Sequence, residues 1–209
     1  MHKDSAQGHR SSFPRQGSST DLSPIEGNYR LTALTGDVLV PLLALVFVTG
    51  VFKDAWWHAH YVVGFVLIPV VALKLASTGY RALRYYTRDP IYVAEGPPAL
   101  LPRLLAPLLT LSMATALATG VILFAERSRS GVLSTIHIYS AVVSAVLIGL
   151  HFRIYVAGAL AATHRELRAR LSLPGRLRLA VVVAALVLGI ILAILTYSSG
   201  VWPARPHAG

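Results

Sequence analysis

Residues 132–156 read VLSTIHIYSAVVSAVLIGLHFRIYV, and this stretch decides the fold class. Its apolar residues run on without the alternation of a strand. At about 1.5 Å per helical residue it is long enough to cross a hydrocarbon core of roughly 30 Å. In lipid such a run must satisfy its backbone groups internally, which a helix does and an isolated strand does not. Four further runs of the same kind lie at Leu31–Val51, His58–Ser77, Leu104–Phe124 and Leu179–Tyr197. The chain is 55% apolar and only 13% charged, about half the charged share of a soluble domain. The expectation is an all-α integral membrane helical bundle of five transmembrane helices, with the lipid bilayer as its surroundings.

Outward from these spans the chain divides by composition. Residues 1–30 are rich in Ser, Gly, Arg and His with no apolar centre, which reads as a disordered cytoplasmic tail rather than a cleaved signal peptide. Residues 31–157 hold four spans, 158–178 form a basic cytoplasmic loop, and 179–209 are the fifth span with a short outer tail. The formal charge of +10 is explained by topology and does not call for nucleic acid. Lys3, Arg10, Arg15, Arg30, Arg81, Arg84, Arg88, Arg103, Arg153, Arg165, Arg168, Arg170, Arg176 and Arg178 fall on one side, 14 of the 19 Lys and Arg. The positive-inside rule makes that side cytoplasmic, so the expectation is a multi-pass protein of the cell (plasma) membrane with its amino terminus inside. The longest connection is 79–102, and Pro41, Pro69 and Pro107 inside spans predict kinks. There is no cysteine, which excludes disulfides, iron–sulfur clusters and thiolate or covalent haem attachment.

Ionisable groups inside a span are expensive and are functional candidates. His137 and His151 in the fourth span are 14 residues apart, about 1400° of rotation, hence within about 40° of one face and about 21 Å apart along the axis. The second span runs in the same direction and enters the membrane at His60, at the depth of His137. Two imidazoles on facing helices at one depth can ligate one haem iron from both sides. The same 14-residue step from His60 reaches Lys74, at the depth of His151. A neutral lysine amine can also ligate a metal. Alternatively Lys74 snorkels to the headgroups or pairs with Asp37 of the first span.

This pattern resembles the membrane cytochromes b, the haem-b subunits of quinone-linked hydrogenases, formate dehydrogenases and cytochrome bc complexes. The resemblance covers roughly 58–155 and rests on the spacing His137-x13-His151 together with His60. It implies a four-helix haem-binding core plus a fifth helix, with one or two haem b groups. Cofactor contacts are expected at His60, His137, His151 and Lys74, and iron ligation by the three histidines, with His58 in reserve. Lys74 departs from the family pattern, which offers histidine there. Gly64 and Gly149 are expected to make room for a macrocycle, and Arg81, Arg84, Arg153, Arg127 and Arg129 to meet its propionates. The resemblance implies a non-catalytic electron-transfer subunit of an oxidoreductase complex, working between a quinone or cytoplasmic-side donor and an extracytoplasmic redox partner. A haem-free scaffold or assembly protein and a small transporter are the competing readings.

Overall fold

The computed structural model describes residues 24–94, 96, 100–127, 131–168 and 173–198. Six helices occupy them, with no strand among the described residues: α1 Pro24–Val51, α2 Lys53–Tyr86, α3 Pro90–Val93, α4 Leu100–Ala125, α5 Val132–Arg168 and α6 Leu173–Ser198. Five segments are long and apolar enough to cross a membrane: Pro24–Val51, Ala55–Tyr86, Arg103–Ala125, Val132–Arg165 and Leu173–Ser198. The molecule is a multi-pass helical bundle of membrane type.

The helices outrun the apolar stretches that announce them. Residues 24–30, expected as part of the tail, are the first turns of α1, and 1–23 lie outside the described residues. Proline is tolerated at Pro24 because a first-turn N–H has no intrahelical partner. Glu26 in that turn favours the helix dipole and pairs with Arg30 one turn on, Nε to Oε1 at 3.0 Å. At the other end of the chain, α5 runs on through 157–168, absorbing much of the basic segment. Its alanines and leucines are strong helix formers. The helices also continue through Pro41, Pro69 and Pro107. Inside α2, non-helical dihedrals occur instead at Trp56 (φ −124°, ψ 25°).

Connectivity sets the arrangement. Phe52 alone joins α1 to α2, which folds them back as a hairpin. α4 and α5, consecutive and packed along each other, form the second pair. α1 packs along both α2 and α5, α5 packs along α4, and α6 lies against α2 and touches α1. α2 and α4 meet only sparsely, through Phe124 edge-on to Tyr61 and Phe65, at centroid distances of 5.3 and 4.9 Å. The order around the bundle is therefore α2, α1, α5, α4, with α2 and α5 on a diagonal and α6 outside.

The densest packing is the α1–α2 seam, where Leu39 and Leu43 meet Val63, Leu67, Val70 and Val71. On the outside of α2, Gly189 of α6 makes a close approach: a Cβ there would stand 2.6 Å from the Val66 carbonyl oxygen. Only glycine allows the two backbones to come so near. Hydroxyls buried in the bundle satisfy themselves locally or across one seam. Thr35 and Thr49 donate to Leu31 O and Leu45 O, each at 2.8 Å, and Ser144 of α5 donates to Ser112 of α4 at 3.0 Å. Large apolar side chains such as Val146, Leu150, Leu188 and Ile191 are exposed, as suits a surface facing hydrocarbon.

Candidate functional site

The diagonal between α2 and α5 carries two histidines at the hairpin end of the bundle. The break at Trp56 starts α2 afresh, so that Trp57 is buried and His60 turns inward, half-buried. His58, two residues earlier and so on another face, is exposed and lies against the Trp57 ring at 3.6 Å between centroids. His60 Nδ1 donates to the carbonyl of Val46 in α1 at 3.0 Å. His137 Nδ1 donates to the carbonyl of Ala116 in α4 at 2.9 Å, with Thr119 Oγ1 also within 3.2 Å. A carbonyl can only accept, so in each ring Nδ1 carries the proton. In the neutral ring Nε2 then keeps its lone pair.

Both rings rest on glycine. A Cβ on Gly50 would come within 3.0 Å of His60 Cε1, and one on Gly120 within 3.1 Å of His137 Cε1. Each imidazole thus lies with its Nδ1–Cε1 edge nearest the neighbouring helix, and His60 Nε2 is still within 4.0 Å of where the Gly50 Cβ would sit. The two ring centroids are 6.1 Å apart and the planes stand at 85°.

The centroid separation is close to that of an axial pair. A metal held between two imidazole nitrogens at about 2.0–2.1 Å each, plus about 1.2 Å from each nitrogen to its ring centre, sets the centroids roughly 6.5 Å apart. Among the described residues no group of three or more His, Cys, Asp or Glu could hold a metal ion. Two nitrogens are too few for a metal caged by protein alone. They are the right number for an iron whose remaining ligands come from a macrocycle.

Fourteen residues along, the second level is built differently. Lys74 Nζ donates to the carbonyl of Thr32 in α1 at 2.6 Å, Thr32 Oγ1 donates to Ser77 at 3.1 Å, and Ser77 donates to the Lys74 carbonyl at 3.0 Å. Lys74 neither reaches for the headgroups nor hydrogen-bonds to Asp37, whose Oδ2 is buried without a hydrogen bond. His151 is half-buried on α5 with its ring 4.5 Å from that of Tyr155. The structure therefore brings His60 and His137 together, and turns Lys74 onto α1.

Gly50 and Gly120 are the glycines that touch the rings. At Gly64 and Gly149, the glycines singled out in the sequence, a Cβ would meet nothing within 4 Å. The sequence does hold one signal of this: Gly36 and Gly50 repeat in α1 the 14-residue step of His60 and Lys74. Of the arginines considered, Arg84 is held by Asp89 and lies over the Tyr80 and Tyr92 rings. Arg81 lies over Tyr29 at 5.9 Å. Arg127 is exposed in the turn after α4, and Arg129 lies outside the described residues. No family model matches this chain, and neither a curated protein nor a solved structure does.

Proposed function

We propose that this chain is a membrane b-type cytochrome that holds haem b between His60 and His137. It serves as the electron-transfer subunit of an oxidoreductase, between a quinone or cytoplasmic-side donor and an extracytoplasmic redox partner. The observation that carries the reading is the pair of imidazoles, each anchored through Nδ1 to a backbone carbonyl and 6.1 Å apart between centroids. The bound group would supply reversible one-electron chemistry.

The chain's own residues do the rest. The Val46 and Ala116 carbonyls fix the tautomer, orient each ring and raise the basicity of Nε2, as outer-shell partners do for metal-bound histidine. Gly50 and Gly120 let the rings lie flush with α1 and α4. Phe65 and Phe124, both buried, pack against each other between α2 and α4, and burial of the site is one of the levers on redox potential. The described residues are nearly all in membrane-length helices, so the chemistry on a substrate belongs to a partner subunit.

The direct test is the absorption spectrum of the purified protein. A reduced-minus-oxidised difference with the bands of low-spin b-type haem is expected, and a colourless, folded protein would rule the reading out in favour of a scaffold or transporter. The placing of the chain in the plasma membrane with its amino terminus inside rests on the one-sided distribution of Lys and Arg. Reporter fusions near residue 24 and at residue 209 are expected to lie on opposite sides. Both reporters on one side would mean that one of the five segments does not span.

A further inference from the structure

The two levels of the diagonal are copies of one plan, and the second copy is altered in a way that changes what it can hold. In the first, His60 of α2 bonds to the Val46 carbonyl and lies on Gly50. Fourteen residues away in each helix, Lys74 bonds to the Thr32 carbonyl and lies on Gly36, where a Cβ would come within 2.8 Å of Nζ. On α5, His137 is answered by His151. On α4, however, Gly120 is answered by Ala106.

The substitution of lysine for imidazole is not neutral. An imidazole separates its two tasks between two atoms: Nδ1 is tied to the neighbouring helix while the lone pair on Nε2 is left for a ligand role. Lysine has one nitrogen. Nζ lies 2.6 Å from Thr32 O and 2.8 Å from where a Cβ on Gly36 would sit, so the single nitrogen of the side chain is held on α1 and not presented to the diagonal. Thr32, Ser77 and Lys74 together tie α2 to α1 at this level.

We infer that the second level takes no haem, and that the chain is a one-haem cytochrome whose redox centre lies only at the His60–His137 end. This rests on the proposed function and narrows it. A second centre about 21 Å further along the bundle is absent, so the chain by itself provides no relay across the membrane. Its electron donor must come to the His60–His137 level. A quinol diffusing within the bilayer can do so, whereas a water-soluble donor at the opposite surface cannot.

The experiment is haem content per polypeptide, by extraction and protein quantitation, on wild type, Lys74→Ala, His151→Ala and His60→Ala. One haem per chain is expected in the wild type, unchanged in Lys74→Ala and His151→Ala and lost in His60→Ala. Two haems per chain in the wild type would overturn the inference, as would a single haem that disappears with His151→Ala and persists in His60→Ala. Lys74 also fastens the α1–α2 seam, so the wild-type ratio and His151→Ala decide the matter even if Lys74→Ala fails to accumulate. A wild type with no haem at all is a different result, which refutes the proposed function itself.

Discussion

His60→Ala and His137→Ala are each expected to lose the low-spin haem spectrum of the proposed cytochrome while the protein remains in the membrane. The effects on fold and on cofactor differ in size because different interactions are lost. For the fold, each substitution removes one hydrogen bond to a carbonyl, a net cost of about 0.5–1.5 kcal/mol. Those carbonyls, Val46 and Ala116, also sit within helices and have intrahelical partners to fall back on. For the cofactor, each substitution removes one of two axial nitrogens. Loss of a mere outer-shell partner of a metal-bound histidine costs about 10–100-fold in affinity, and loss of the ligand itself is expected to cost more. The check is the absorption spectrum of each variant beside its expression level in membranes. Imidazole added to either alanine variant is expected to restore the low-spin bands in part, since it refills the ligand position without repairing the chain. His58→Ala is expected to leave the spectrum unchanged, because His58 lies against Trp57 and away from the pair. An unchanged spectrum in both His60→Ala and His137→Ala would refute the site.

The second large effect is expected from residues with no side chain. Gly50→Val and Gly120→Val drive branched groups into rings that stand only 3.0 and 3.1 Å from where a Cβ would sit, closer than ordinary van der Waals contact. Overpacking of this kind costs about 1–3 kcal/mol, or roughly 5–150-fold in haem retention if the strain is taken up by the imidazoles. Alanine at either position is expected to give the same effect in weaker form, since its Cβ alone displaces the ring by a few tenths of an ångström. The helix itself cannot be blamed, because alanine is the better helix former by about 1 kcal/mol. A loss of haem on Gly→Ala therefore runs against the local propensity and points to the ring. Gly149→Ala is the control: its Cβ meets nothing within 4 Å, and full haem content is expected. Haem content and the midpoint of thermal haem release, measured across Gly50→Ala, Gly50→Val, Gly120→Val and Gly149→Ala, test the ordering. If all four retain haem equally, the rings do not depend on these glycines.

The sequence by itself determined the class of the fold, because a hydrocarbon solvent leaves so few choices. An apolar run as long as 132–156 must be helical and must span, and the five runs in the sequence correspond to five membrane-length helices. It also marked His60 and His137, since an ionisable group in a span is conspicuous and the 3.6-residue period converts spacing into depth and face. Helix ends were less legible. The start of α1 at Pro24 and the extension of α5 through Arg168 depend on capping, ion pairs and alanine content rather than on hydropathy, and hydropathy stops where the bilayer does. Only the tertiary structure decided which neighbours the histidines meet. Val46 and Ala116 act through backbone carbonyls, which every residue possesses and no sequence pattern advertises. Gly50 and Gly120 matter because α1 and α4 flank the diagonal, a fact of packing order rather than of composition. The same holds for Lys74. Its spacing placed it at the depth of His151, but whether its single nitrogen would face the diagonal, the headgroups or α1 was settled by the Thr32 carbonyl standing within 2.6 Å, because a buried polar group costs free energy unless it is hydrogen-bonded.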